Sequence, residues 1–203
     1  TVLATEKADV YRAILPADIM VKEAKAKNIK NVSAILGGTG GINEENQKVL
    51  LRNIYGVARV LDADSLVKLA SFDELDTHCV LTPHEGEFSK IFPKVSGNRQ
   101  EKALQAAQLS GAHLVLKGAK TVIASPDGRL VVNEHASPYL AKAGTGDVLS
   151  GMIAGLLCQQ MPVFESCCAA VWIHGEAGRR FGPGLIASDI PDMIPEILSE
   201  ILS

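Results

Sequence analysis

The sequence predicts an α/β protein whose mainly parallel central sheet is covered by helices on both faces. Two observations indicate this class. Short apolar segments typical of buried strands alternate with segments of helical periodicity, and three further helical segments follow at the C-terminal end. The chain has 203 residues, of which 47% are hydrophobic. This is sufficient for one large core, and we therefore expect a single domain over residues 1–203.

The first third of the chain alternates strands and helices. Residues 1–4 (TVLA) predict an edge strand, and a polar helical segment follows. Residues 32–36 (VSAIL) predict a buried strand that runs into GGTGG, after which residues 43–55 have helical spacing. Residues 58–64 (ARVLDAD) form the next predicted strand, and Ser65 is a candidate cap for the short helix after it.

The remainder of the chain shows equally clear boundaries. CVLTPHEGEF predicts a strand that stops at Pro83, and RQEKALQAAQLSG predicts an amphipathic helix with Gly111 just beyond its end. Residues 113–132 predict three short strands, the last two joined by a Pro-Asp-Gly turn. The C-terminal part predicts three helices, at 147–160, about 164–181 and 189–202.

Composition narrows the classes of function. The net charge is −3, from 20 basic and 23 acidic residues that are well mixed, and aromatic residues make up only 4%. This balance argues against a nucleic-acid or polybasic membrane surface. No apolar run approaches the ~18 residues of a membrane span. The four cysteines have neither a zinc spacing nor a disulfide framework, so we expect reduced thiols in a cytoplasmic protein.

Residues suited to chemistry directly follow several predicted strands. Ligands of parallel α/β sheets bind beyond the carboxyl ends of the strands, which meet at one edge. We therefore expect the ligand site to lie at that edge. The residues concerned are Gly37–Gly41, Asp62 and Asp64, His84 and Glu87, and Lys117 with Gly118.

The segment Gly144–Asp147 (GTGD) opens the first C-terminal helix. Bare glycines expose backbone N–H groups, and the helix start adds further free N–H groups and a positive dipole end, which together suit a phosphate. A carboxylate beside a phosphate can accept the proton of an attacking hydroxyl. The alternative is that Asp147 only caps the helix, as aspartate commonly does.

Several longer motifs resemble one known family. LTPHEGEF, VLKGAKTVIASPDG, AGTGDVLSGMIAGLL, HGEAG and ASDIPDMIPEIL, in this order, are similar to the ADP- or ATP-dependent NAD(P)H-hydrate dehydratases of the ribokinase-like superfamily, and VLDADSL extends the likeness upstream. The resemblance implies a three-layer αβα sandwich and a metabolite-repair reaction. Hydrated NADH or NADPH is dehydrated, with the ring hydroxyl phosphorylated and then eliminated as phosphate.

The resemblance also implies roles for individual residues. Asp147 resembles the substrate-contacting aspartate and base, and His84 resembles the histidine that touches the hydrated nicotinamide nucleotide. Glu87 matches the acidic end of an N-x-x-E element that organises Mg²⁺ and phosphate, with His84 in place of asparagine. Nucleotide-binding roles fall on two loops: Gly144, Thr145 and Gly146; and Lys117, Gly118, Ala119, Lys120 and Thr121.

Two features depart from the family pattern. The loop after VSAIL reads GGTGG rather than a G-P-G-L-G-like sequence, so the substrate-contacting glycine is assigned to Gly40, with Gly38 as the next choice. Family members also have about 60 to 80 further residues before the position of Thr1, near half a typical domain. The resemblance therefore implies a domain that is incomplete at its N-terminus.

Three functions remain open at this level. The first is the dehydratase, with ADP or ATP as co-substrate, Mg²⁺ as cofactor and a homo-oligomer, such as a tetramer, as assembly. The second is a small-molecule kinase of the same superfamily that acts on a vitamin precursor. The third is a non-catalytic nucleotide-binding remnant. Fold alone does not separate them, because this fold hosts many activities.

Overall fold

A small parallel pair of strands lies at the N-terminal end of the chain. The structure, a computed structural model, describes residues 1–4, 8–24, 31–52 and 57–203. Strands β1 (Val2–Ala4) and β2 (Val21–Glu23) pair in parallel, with helix α1 (Ala8–Ile14) between them in the chain. The strand predicted at residues 1–4 is thus confirmed as β1.

Six strands form the central sheet, in the spatial order in which they occur along the chain. They are β3 (Ala34–Gly37), β4 (Ala58–Leu61), β5 (Cys79–Leu81), β6 (His113–Leu116), β7 (Thr121–Ala124) and β8 (Leu130–Asn133). Strands β3 to β6 are parallel, whereas β7 and β8 form antiparallel pairs joined by the predicted turn. The prediction of a mainly parallel sheet is confirmed.

Helices cover both faces of this sheet. They are α2 (Glu44–Leu51), α3 (Ala63–Val67), α4 (Glu85–Ile91), α5 (Arg99–Ser110), α6 (Thr145–Cys158), α7 (Val163–Phe181) and α8 (Ile190–Leu202). Successive strand residues point to opposite faces, so Leu61 packs in the core with α4 and α5, whereas Val60 packs in the core with α6 and α7. The result is the three-layer arrangement that the sequence predicts.

The start of α3 corrects one prediction. Ser65 does not cap this helix, because the helix already begins at Ala63 and the side chain of Asp62 accepts a hydrogen bond from the Ala63 amide. Ser65 lies buried inside the helix, where its hydroxyl donates to Gln47 Oε1 at 2.7 Å. Aspartate at the end of a strand reaches the first helical amide, and this places the cap earlier than the apolar pattern indicated.

The other predicted boundaries agree with the structure to within a few residues. Gly111 follows α5 in a left-handed conformation, with φ of 67°. The helix predicted over residues 43–55 begins after the Asn43 cap, and the predicted positions 53–55 lie outside the described residues. Within the described ranges, no helix combines the length and the apolar character needed to cross a membrane.

Candidate active site

The carboxyl ends of β4, β5 and β6 bring the predicted polar residues together. His84 follows β5 and Lys117 follows β6, and the two form an isolated parallel bridge in which the Lys117 amide donates to Pro83 O at 2.9 Å. Asp62 follows β4, and its Oδ1 lies 2.7 Å from Lys117 Nζ. The expected site at this edge of the sheet therefore contains side chains from three neighbouring strands.

Asp62 is the most deeply buried charge of this group. Its side chain is 1% exposed, and its carboxylate accepts from Lys117 Nζ and the Ala63 amide on Oδ1 and from Ser150 Oγ on Oδ2. The sequence placed Asp62 and Lys117 at the ends of neighbouring strands but did not predict their ion pair. Their position at one edge of the sheet, and the likeness of VLDADSL to the family, were the available signals.

The α6 helix begins without a side-chain cap. Gly144 precedes it with φ of 85°, in the left-handed region that favours glycine. The hydroxyl of Thr145 lies 2.7 Å from Leu140 O and 2.9 Å from Lys142 O and its one hydrogen points to these carbonyls, so it braces the loop rather than facing a ligand. Beneath the first turn, His174 Nε2 donates to Thr145 O at 2.9 Å. These bonds fix the helix start from within.

The amides of Gly146 and Asp147, the next two residues, are available to bind an anion. Gly146 and Asp147 occupy the second and third helical positions, and no acceptor for their amides is present in the described part of the chain. A Cβ built on Gly146 would lie 3.3 Å from Lys117 Nζ, so the ammonium group stands beside the same turn. Free amides, the positive end of the helix dipole and a cation therefore converge at one point.

The carboxylate of Asp147 has no hydrogen-bond partner among the described residues, and it does not cap α6. The capping alternative therefore does not describe this structure. Although Asp147 keeps an exposed surface, its partial burial is the main cause that raises the pKa of its carboxyl. The negative charges of Asp62 and Glu87 raise it further, and Lys117 opposes them.

His84 and Glu87 form the first turn of α4. His84 Nδ1 accepts from the amides of Gly86 and Glu87, at 3.0 and 3.2 Å, and Glu87 Oε2 accepts from the His84 amide at 2.8 Å. This reciprocal capping box assigns the hydrogen of a neutral ring to Nε2, which lies 3.6 Å from Glu87 Oε1, beyond hydrogen-bond distance. The His84 side chain is 60% exposed. Glu87 therefore serves the start of α4 as a member of this capping box.

The two candidate glycines of the GGTGG loop differ in their surroundings. Gly38 is buried, and a Cβ there would collide with the backbone oxygen of Asp62, so close packing explains this glycine. Gly40 is exposed with φ of 72°, and nothing lies within 4 Å of an added Cβ. A cavity of about 700 Å³ borders Gly38 and Gly41 and extends along β3 towards the C-terminal end of α6.

Arg99 supports the loop after β6, a role that the sequence did not reveal. Its guanidinium donates to the carbonyls of Leu116, Lys117 and Lys120, at distances between 2.6 and 3.0 Å, and pairs with Glu85 at 2.6 Å. Arg99 therefore ties the loop that follows β6 to the first turn of α4. No spacing rule connects the first residue of α5 with carbonyls about 20 positions later, so only the folded chain shows this contact.

The side chains of the loop after β6 are occupied within the protein. Lys120 Nζ pairs with Glu134 at 2.6 Å, and Thr121 Oγ1 donates to Gly118 O at 3.1 Å. A Cβ on Gly118 would meet the Arg99 guanidinium. Gly118, Ala119 and Lys120 are themselves exposed. The loop thus offers an exposed backbone to a ligand, and the half-buried Lys117 stands at its start.

Comparisons with known proteins place the chain in a family. A family model described as NAD(P)H-hydrate dehydratase matches residues 1–200. A bifunctional NAD(P)H-hydrate repair enzyme Nnr of Thermosynechococcus vestitus is 45% identical over 167 residues, which are 80% of this chain and 33% of that protein. An ADP-dependent (S)-NAD(P)H-hydrate dehydratase of Neisseria meningitidis is 40% identical over 64% of this chain and 50% of that protein. The chain thus spans half or less of these two relatives.

Solved structures agree with this assignment. An ADP/ATP-dependent NAD(P)H-hydrate dehydratase from Bacillus subtilis, co-crystallised with ATP/Mg²⁺ and soaked with CoA, is 29% identical with a TM-score of 0.80, covering 95% of this chain and 78% of that one. A ribokinase-like protein from Enterococcus faecalis is 25% identical with a TM-score of 0.74, over 86% of this chain and 66% of that one. The fold is ribokinase-like, and the chain belongs to the NAD(P)H-hydrate dehydratase family.

Proposed function

We propose that this chain dehydrates hydrated NADH or NADPH at the expense of ADP or ATP. The observation that carries the proposal is the uncapped start of α6. There, the Asp147 carboxylate and the amides of Gly146 and Asp147 have no hydrogen-bond partner among the described residues, and the Lys117 ammonium stands beside the same turn. A helix start of this kind attracts phosphate. Helix capping does not account for the carboxylate beside it, because α6 has no side-chain cap. Family membership supplies the substrate class.

The nucleotide is proposed to lie along the loop from Lys117 to Thr121, with its phosphates at the start of α6. Because Lys120 and Thr121 are engaged within the protein, the exposed backbone of Gly118 and Ala119 would supply the contacts to the nucleotide. The amide of Gly146 and the ammonium of Lys117 would hold the transferring phosphate. Gly144 and Thr145 shape the loop that leads into α6 rather than contact the ligand directly.

Asp147 is proposed to act as the general base. The hydroxyl oxygen of the hydrated ring attacks the terminal phosphorus while Asp147 takes the hydroxyl proton, and the shortened nucleotide leaves. The C–O bond then breaks to release phosphate, and loss of a proton from the neighbouring carbon completes the ring double bond. His84, through Nε2, and the open Gly40 are the proposed contacts to the hydrated nicotinamide nucleotide, and packed Gly38 gives only shape.

Magnesium is proposed as the cofactor, held by Glu87 together with the nucleotide phosphates. Within the described ranges, no cluster of three or more His, Cys, Asp or Glu side chains forms a metal site. Mg²⁺ commonly binds one or two carboxylates plus substrate phosphates, and Glu87 retains Oε1 outside its bond to the His84 amide, so the residues present fit such shared binding. When bound, the ion neutralises charge that develops on the phosphates.

The deciding experiment supplies hydrated NADH or NADPH with ADP or ATP and follows the return of absorbance near ~340 nm, the reduced nicotinamide band. Recovery that requires a nucleotide supports the proposal. A folded sample without recovery, with either nucleotide, contradicts it. A parallel reaction with vitamin-precursor alcohols and ATP tests the kinase alternative. A protein that binds nucleotide but catalyses neither dehydration nor phosphorylation would be a non-catalytic remnant.

The kinase alternative has support only at the level of the fold. A hydroxyethylthiazole kinase from Pyrococcus horikoshii is 17% identical, with a TM-score of 0.65 over 86% of this chain and 77% of that one. A single domain, a cytoplasmic location and a homo-oligomer remain parts of our proposal. Sedimentation of the purified protein measures the last of these.

A further inference from the structure

Asp62 lies where three elements of the proposed nucleotide site meet. Its carboxylate is 1% exposed and receives the Lys117 ammonium, the Ser150 hydroxyl and the Ala63 amide, at distances between 2.7 and 2.9 Å. Lys117 belongs to the end of β6, and Ser150 lies on α6 one turn after Asp147. A single buried group therefore joins the cation of the site to the helix that begins it.

The backbone directly after Asp62 is held in an unusual conformation. Ala63 has φ of 43°, in the left-handed region that residues with a Cβ rarely occupy. Gly38 approaches so closely that a Cβ there would collide with the Asp62 carbonyl oxygen, which accepts from the Ser65 amide. Such conformations persist where the surroundings enforce them, and they concentrate at functional sites.

A helix cap alone does not explain this arrangement. Capping α3 requires only the hydrogen bond from the Ala63 amide to Oδ1. The same carboxylate also forms an ion pair with the Lys117 ammonium, and the Lys117 side chain is only 19% exposed. Buried charges are costly unless they are paired and hydrogen-bonded, and the Asp62 carboxylate accepts hydrogen bonds from three donors. The pair keeps the ammonium within reach of Gly146 rather than extended into solvent.

We propose that Asp62 is a positioning residue that holds the Lys117 ammonium against the first turn of α6, where the nucleotide phosphate arrives. This inference rests on the proposed function, because it assumes that Lys117 binds nucleotide. Asp62 does not itself touch the ligand. It limits the volume that the flexible lysine samples, and less side-chain entropy is therefore lost when the phosphate binds.

The experiment is a double-mutant cycle on the affinity for ATP with Mg²⁺, measured by calorimetry without the hydrated substrate. Lys117→Ala is expected to lower the affinity about 5- to 150-fold, the range of a charge-assisted contact. Asp62→Asn is expected to lower it about tenfold, and the double variant is expected to bind no more weakly than Lys117→Ala alone. Asp62→Ser, which retains a cap acceptor, provides a second variant if Asp62→Asn folds poorly.

Asp76 supplies a matched control. It precedes β5, at the end of the sheet opposite the site, and its Oδ2 pairs with the buried Arg59 guanidinium at 2.7 Å. Asp76→Asn also removes one carboxylate from a pair with a cation, and it should leave ATP affinity unchanged. An equal loss in Asp76→Asn, additive losses in the double variant, or tighter ATP binding by Asp62→Asn would each overturn the inference. An unaffected Lys117→Ala would overturn the nucleotide role of Lys117 as well.

Discussion

The starts of α4 and α6 lie at the same edge of the sheet and yet expose opposite chemistry. At α4, the His84 side chain accepts hydrogen bonds from the amides of Gly86 and Glu87, and the Glu87 side chain accepts one from the His84 amide. At α6, Gly144 supplies no side chain, and the amides of Gly146 and Asp147 have no acceptor in the described residues. Only the second start is open to an anion.

This difference assigns the two helices different tasks. The box at α4 satisfies its own backbone groups, so it holds His84 and Glu87 rigidly at the margin of the site. The open start of α6 leaves its first amides available to a ligand. Its stability depends instead on the hydrogen bonds that the Thr145 and His174 side chains donate to backbone carbonyls. Substitutions should therefore affect stability at α4 and ligand binding or turnover at α6.

Asp147→Asn should have the largest effect. Because the carboxylate makes no hydrogen bond within the described structure, the free energy of unfolding should change by less than ~1 kcal/mol. Turnover of hydrated NADH should fall about 10²- to 10⁴-fold, the usual contribution of a positioned general base. Nucleotide affinity should hold or rise, since one negative charge near the phosphates is lost. If Asp147→Asn instead unfolds most of the protein while the fraction that remains folded keeps full activity, Asp147 is structural and the mechanism is wrong.

The second prediction concerns acid stability beneath α6. Burial lowers the pKa of His174 to about 4, from an unfolded value near ~6.5. The neutral ring therefore contributes stability that is complete above the unfolded pKa and is lost as pH falls towards the folded pKa. Between pH ~7 and pH ~5 this loss should reach about 2 kcal/mol. His174→Gln, which can still donate to Thr145 O, should lose correspondingly less stability in urea titrations at the two pH values.

Glycines at the two helix starts offer a matched pair for the third prediction. Gly146→Ala would place a methyl group 3.3 Å from Lys117 Nζ, at the end of a flexible side chain, so folding should be preserved. ATP affinity measured by calorimetry should fall about tenfold, ~1.4 kcal/mol, because the methyl group crowds the phosphate position. Gly86→Ala, which would press on the His84 ring, should leave ATP affinity unchanged. Equal losses in both variants would remove the distinction.

The sequence predicted the order of elements because buried strands and helical stripes leave strong periodic signals, as in β4 and α6. It also placed Lys117, His84 and Asp62 at one edge, since parallel strands end together. It did not predict the cap of α3, where Asp62 rather than Ser65 serves. The apolar pattern marks where a helix buries its face, whereas a cap depends on which side chain reaches the first free amide.

The contacts that support the site could not be predicted from the sequence either, because they join residues that are far apart along the chain. Asp62 meets Lys117 across 55 positions and Ser150 across 88, and Arg99 meets the carbonyls of Leu116 and Lys117. Such contacts depend on strand order and loop paths, which local periodicity does not encode. The motifs therefore indicated the groups that could carry chemistry, and the fold revealed the groups that position them.

The smallest expected effect separates the two roles of His84. His84→Ala removes the acceptor of two amides at α4 and should lower the free energy of unfolding by about 1 kcal/mol. His84→Asn should restore most of this loss, because asparagine caps well through its side-chain oxygen. If His84 also binds the hydrated nicotinamide nucleotide through Nε2, both variants should raise KM for that substrate, whereas ATP affinity should not change. A normal KM in His84→Asn would show that the histidine serves the helix alone. The start of α4 would then make no direct contact with the hydrated nucleotide, and its part in the site would be the proposed Mg²⁺ contact of Glu87.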